Sequence, residues 1–357
     1  MRMLLACCAL MGLPVPAAPA ADALAMSAGI WKARVLVCEP ILVRVALANT
    51  GDRAVSVVPP YIRADFVHTA YPLRLVVEGA GRDWSEPRLR VATSYWVCAW
   101  GSSTSADLVR RPWVLPAGGA ASMWYSLNMV YDVRQPGRYH LRLLYSSTPD
   151  MLPERQAEAA PADLWCGELE ADLGWIEILE PPETERDAAA YLGEHSAACA
   201  PSPLFDPYAV SEAVAAKWPG SVYLPYTEYY AMWAEARTGL SHVAHKANGL
   251  EELRARAAAF GERYPDFPLA AQLDTIVACY AHGLAHDTAY PIEGNLQPPS
   301  SGQLVALLEA GRQLRATARA SGDWGVAAEM ALVADRLEQI HRADIGAAVP
   351  GWRPQWE

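Results

Sequence analysis

The spacing of the apolar residues changes once along this chain, and that change restricts the fold more than any single motif. Up to about residue 180 apolar and polar residues alternate, the two-residue repeat of a strand half-buried in a sheet. Val43, Val45 and Leu47 share one face, with Arg44 on the other. Leu73, Leu75 and Val77 repeat the pattern. Tyr139, Leu141, Leu143 and Tyr145 do so most clearly, with Arg138, His140 and Arg142 facing away. A closing strand is expected over Gly174 to Leu179. Short strands divided by Pro/Gly turns, with no helix between them, specify an antiparallel sandwich. The Ala/Pro/Glu-rich stretch from about 147 to 171 reads as a surface insertion between the last two strands.

Beyond Pro181-Pro182 the repeat becomes helical. Leu250, Leu253, Ala257, Phe260 and Tyr264 form one apolar stripe, and Leu269, Leu273, Ile276, Tyr280 and Leu284 a second. Val326, Met330, Val333, Leu337 and Ile340 form a third. Further helices are expected near 183–198, 207–217, 224–237 and 301–320. A proline just past a helix end stops it. Lys217-Trp218-Pro219-Gly220 and Arg263-Tyr264-Pro265-Asp266 are two such corners, and Ser321-Gly322 is a third without the proline. The expected class is therefore α+β in two domains, an antiparallel β-sandwich at 24–180 and all-α helical hairpins at 183–342. A C-terminal tail at 343–357 follows. At 357 residues the chain is long enough for two cores.

Residues 1–20 read as a signal peptide. Arg2 supplies the positive charge, Met3 to Leu13 the short apolar run, and Ala18-Pro19-Ala20 a small-x-small cleavage site. Export to the periplasm or the exterior is the expectation. No later segment is apolar enough to span a bilayer. Removal of the leader leaves Cys38, Cys98, Cys166, Cys199 and Cys279, an odd set in which at least one thiol stays outside an internal disulfide. Cys98 and Cys166, both in irregular stretches between strands, are the favoured disulfide pair; five buried thiols are the competing reading. A net charge of −11 with no Lys/Arg stripe argues against a nucleic-acid partner.

Two resemblances add to this reading. Cys38-Glu39-Pro40-Ile41-Leu42-Val43, running into Leu47-Ala48-Asn49-Thr50-Gly51-Asp52, resembles the early strands of bacterial immunoglobulin-like domains. Those begin with a Gly-Glu-Pro-Val-like lead-in and close the strand with an Asn-Thr-Gly-Asp-like turn. Leu115-Pro116-Ala117-Gly118 and Tyr131-Asp132 through Pro136-Gly137-Arg138-Tyr139 resemble the later part of the same pattern. The likeness covers about 30–180 and implies a fold rather than a function, since such sandwiches host many roles. Over roughly 200–342, the helix, Trp/Tyr-Pro, helix pattern resembles divergent tetratricopeptide-type repeats of bacterial envelope proteins. That resemblance implies a concave surface for peptides or partner proteins.

Candidate site residues are few. Tyr226, Tyr230 and Trp233 have the spacing of a core stripe, and core packing is the first reading of the whole aromatic group. Tyr223, Tyr229 and Trp218 are retained as candidates for partner contact. His282 and His286 have the spacing with which metalloproteases hold zinc from one helix. The residue after the first histidine is Gly283 rather than the Glu that would act as base, so peptidase chemistry of that type lacks its base. The expected reading is a pair of solvated or hydrogen-bonded histidines near a helix end, with no metal and no cofactor. No phosphate-binding loop and no Gly-x-Ser-x-Gly elbow is present. The chain reads as an exported bacterial cell-envelope protein, a binding or scaffold module for a protein or peptide, without an evident catalytic site. Alternatives are a hydrolase of unrecognised type with its site at the domain junction, and a protease inhibitor acting through a sandwich loop.

Overall fold

The structure is a computed structural model and describes residues 23–60, 72–79, 112–129, 135–149, 161–195, 207–238, 247–291 and 298–354. Strands come first: β1 (Leu24–Ile30), β2 (Arg34–Leu36), β3 (Leu42–Asn49), β4 (Val55–Val57), β5 (Leu73–Gly79), β6 (Trp113–Leu115), β7 (Ala120–Ser126), β8 (Gly137–Ser147) and β9 (Gly167–Leu179). Helices follow: α1 (Glu183–His195), α2 (Pro207–Lys217), α3 (Leu224–Thr238), α4 (Ala247–Arg263), α5 (Leu273–Ala289), α6 (Ser301–Ala320), α7 (Trp324–Ile340) and α8 (Arg342–Ala348). The α+β class and its order, sheets and then helices, match the sequence reading.

One sheet has the order β1-β3-β7, a second β2-β9-β8-β5, and β4 and β6 make a small pair. Pairing is antiparallel except between β2 and β9, which run parallel. The alternation seen in sequence sets which face is buried. Val43, Val45, Leu47 and Met123 from one sheet, and Leu73, Tyr139, Leu141, Leu143 and Ile176 from the other, share a single hydrophobic cluster. Between Leu141 and Arg142 the β8–β9 register shifts, and Gly174, with φ +78°, turns the backbone at that bulge.

The supposed insertion at 147–171 is partly strand. β9 begins at Gly167, paired with Ser147, and Leu169 and Ala171 lie opposite Tyr145 and Leu143. Small Ala171 set against large Leu143 gives a weak apolar stripe amid Glu168, Glu170 and Asp172, and hides the strand in an Ala/Glu-rich run. Within the expected C-terminal tail, residues 343–354 pack back onto the helices. Ile345 of α8 is buried against Leu304 and Leu308, and Trp352 packs on the same group.

The chain boundary at Pro181-Pro182 separates strand from helix, yet the cores cross it. Leu42 is buried in the helical cluster, with Trp31 and Trp124 packed against it. Trp324 and Ala328 of α7 pack on the sheet core, with the Trp324 ring 5.5 Å from that of Trp113. A third cluster joins Cys38, Leu36 and Val37 to Ala188 and Leu192 of α1 and Val210 and Val214 of α2.

Cys38 sits at this joint in an unusual backbone state. The Glu39 N–H donates to the Leu36 carbonyl at 2.9 Å, closing a turn in which Cys38 has φ 71°. This is the position that type II turns reserve for glycine, and the Gly-Glu-Pro lead-in that the segment resembles has glycine there. A Cβ in the left-handed region costs about 1–2 kcal/mol. Cys38→Gly should therefore be more stable than Cys38→Ala by about 1 kcal/mol, because both lose the thiol and only alanine keeps the strained Cβ. Urea unfolding midpoints decide it; alanine proving the more stable would contradict the backbone geometry.

Candidate functional site

Helices α2, α3 and α4 enclose an open cleft of about 240 Å³. Its floor is apolar, formed by Met232 and Ala231 of α3 with Phe260 of α4, all buried. Charged groups rim it. Arg263 of α4 donates to Glu228 of α3 at 3.0 Å, and Arg256 pairs closely with Glu235. The two bridges tie α3 to α4 beside the cleft, while exposed Glu212 of α2 faces them. Burial lifts the Glu228 carboxyl above its ordinary range, against the pull of Arg263. An apolar floor between opposed charges suits a peptide chain, whose side chains supply both apolar and charged groups.

At the junction between sheets and helices the polar groups are occupied internally. The Glu39 carboxylate, 4% exposed, accepts from Lys32 Nζ at 2.6 Å, the Leu36 amide at 3.0 Å and the Tyr226 hydroxyl at 2.9 Å. Desolvation, followed by the charge of Glu39, pushes the Tyr226 hydroxyl far above the ordinary tyrosine range. Asn128 fastens the same loop, accepting from the Ile41 amide and donating to the Glu39 carbonyl. These groups cement the joint.

The partner-contact candidates divide. Tyr223 and Tyr229 are 1% and 2% exposed and belong to the core, not to a surface. The Tyr223 hydroxyl donates to the Val37 carbonyl at 2.7 Å, fixing α3 to the loop after β2. Tyr229 accepts from Trp233 Nε1 at 2.6 Å and donates to Gln272 Oε1 in a short contact. Core packing is the first sequence reading of this aromatic group. Val37 and Gln272, which accept from the two hydroxyls, lie elsewhere in the chain and leave no trace in helical spacing, whereas Trp233 is on α3 itself. Trp218 alone of the three is half-exposed, packed on Tyr191 with Lys217 beside its ring.

The cysteine pair lies partly outside the described residues, since Cys98 is among those not described. Cys166 is exposed just before β9. Cys38 and Cys279 are buried, and no two of the described cysteines are joined.

The histidines of α5 do not converge on one site. His282 is 1% exposed and well inside the helix rather than near its end. Its Nε2 shares a recess over Gly311 of α6 with Arg315 Nη1 and Glu338 Oε1; a Cβ at Gly311 would meet these atoms at 3.5, 3.5 and 3.3 Å. Gly311 lets α5 and α6 approach here, and Gly283 is buried in the middle of α5 rather than at its end. Arg315, 4% exposed, bridges Asp335 at 2.6 Å and Glu338 at 2.7 Å and joins α6 to α7. His286 instead faces His341, Nε2 to Nε2 at 3.3 Å, and has Asp287 Oδ1 3.2 Å from its Nδ1. Among the described residues no group of three or more His, Cys, Asp or Glu is placed to hold a metal ion. No described helix is long and apolar enough to cross a membrane.

Comparison with models of known families and with curated proteins finds no match for this chain.

Burial, helped by the charge of His286, lowers the His341 pKa from 6.5 to about 4. A histidine resisting protonation in the fold has a definite pH signature. Above 6.5 it is neutral in both states, and as pH falls toward about 4 the unfolded chain takes up a proton that the folded chain does not. Stability should decline across that window, and less steeply in His341→Asn. Urea melts at about pH 7.5 and about pH 5 measure the difference, and equal losses in both proteins would contradict the assignment.

Proposed function

We propose that this chain is an exported binding module of the bacterial cell envelope that docks a peptide or protein segment in the cleft between α2, α3 and α4. The observation that carries the reading is the cleft itself, with Met232 and Phe260 in its floor and the Glu228–Arg263 and Glu235–Arg256 bridges on its rim. Its two ion pairs offer both signs of charge to a passing chain.

The fold is read as an immunoglobulin-like sandwich followed by tetratricopeptide-like hairpins. The orders β1-β3-β7 and β9-β8-β5 support this reading, since an immunoglobulin sandwich has strand orders A-B-E and G-F-C. The Tyr139 hydroxyl donates to the Gln135 carbonyl at 3.0 Å near the start of β8, in the manner of the tyrosine corner of such domains. In the helical region α2 packs on α3, α4 on α5 and α6 on α7, each pair turning at a corner that the sequence marks. Such stacking supports the repeat reading, in which hairpins present a shared surface to partners. Arg2, the apolar run after it and Ala18-Pro19-Ala20 support export.

A photo-crosslinking residue at exposed Ala259 beside the cleft tests the reading. It should give one discrete adduct in envelope fractions of producing cells, and the same label at exposed Glu309 on α6 should not. Equal labelling from both positions, or none from Ala259, would remove the cleft as the docking site.

A further inference from the structure

Away from the cleft, the last turn of α5 meets the junction of α7 and α8, and two imidazoles converge there. His286 Nε2 lies 3.3 Å from His341 Nε2, and the ring centres are 5.3 Å apart. Both residues are half-exposed. We propose that His286 and His341 form a chelating pair for an imidazole-preferring divalent ion such as Cu²⁺, Ni²⁺ or Zn²⁺, with water completing the coordination shell.

The geometry is that of two ligands on one ion. Imidazoles bound at about 2.0–2.1 Å and at the tetrahedral angle have nitrogens about 3.3 Å apart and ring centres about 5.2 Å apart. A straight N–H···N hydrogen bond of the same nitrogen separation would place the ring centres about 5.6 Å apart. The observed separations, 3.3 Å between the nitrogens and 5.3 Å between the ring centres, match the two-ligand arrangement.

Each ring is also oriented for the task. Asp287, with its side chain 5% exposed, places Oδ1 3.2 Å from His286 Nδ1. A carboxylate accepting from Nδ1–H leaves the lone pair on Nε2, the arrangement that supports histidine ligands in metal sites. His341 is held by Tyr290, whose ring stacks on it at 3.5 Å and whose hydroxyl donates to Asp344 at 3.0 Å. Two protein ligands with the remainder from solvent make an exchanging site rather than a structural one. Imidazole donors favour Cu²⁺ over Ni²⁺ and Zn²⁺, and all three over Mg²⁺ and Ca²⁺.

The full-length, untagged protein should take up one Cu²⁺ per chain, with the electron paramagnetic resonance signature of two nitrogen ligands. His286→Asn and His341→Asn should each weaken binding by about tenfold or more, while His195→Asn on α1 should leave it unchanged. Circular dichroism establishes that the variants are folded. A readout on the unaltered protein stands independently: substoichiometric Ni²⁺ should broaden the ring-proton resonances of His286 and His341 together. Binding undiminished in both variants, broadening confined to other histidines, or no saturable uptake of Cu²⁺ would each overturn the proposal.

Discussion

A single buried carboxylate closes the seam on which the rest of the structure depends. Strand β7 lies at the edge of its sheet, where backbone amides have no neighbouring strand. Asp323 accepts from the Trp124 amide of that edge at 3.1 Å, and from the Gln272 side chain at 2.9 Å through the same oxygen. Its other oxygen accepts from the Val326 amide at 3.1 Å and so caps α7. Burial raises the Asp323 pKa, and the amides around it oppose that shift. A buried amide left without an acceptor costs about 1–3 kcal/mol. Packing reinforces the contact: a Cβ at Gly325 would stand 2.6 Å from Met123 Cε and 3.2 Å from Asp323 Oδ1, so a side chain there would have to push the Met123 methyl aside.

Glu39 is the matching joint on the other side. Together the two carboxylates explain why the boundary at Pro181-Pro182 divides secondary structure without dividing the hydrophobic interior. The sheet core includes a tryptophan from α7, the helical core includes Leu42 from β3, and the first two helices cover the turn before β3. Rigidity at the joint also frames the cleft, because α3 is held to the sheets through Tyr223 and Tyr226 while its other side meets α4. The cleft is thus built on a helix anchored at its back.

Local patterns were legible in the sequence and long-range polar pairings were not. Helix α2 at 207–217 and helix α6 at 301–320 fall where the apolar spacing put them, and the three corners fall between helices. Strands with large apolar stripes, β3, β5 and β8, were equally clear. Strands β1 and β7 are largely Ala, Ser, Gly and Met, and the first half of β9 sets Gly167, Leu169 and Ala171 among acidic residues, so their apolar stripes are faint. Of the cleft, the Phe260 stripe was readable, but the Glu228–Arg263 bridge joins residues 35 apart in sequence and leaves no periodic mark. The histidines show the same limit. Helical spacing pointed from His286 to His282, whereas the side chain that His286 meets is His341, 55 residues away on another element.

The bond from Trp124 to Asp323 spans 199 residues. Before α7 is in place, β7 is paired with β3 on one side only, and its outer edge lacks the Asp323 acceptor. An unpaired strand edge is a template for association with other chains. Until α7 docks, the outer edge of β7 is open to pairing with other chains. Because closing so long a loop is slow, contact order as well as contact strength sets how long the open form persists.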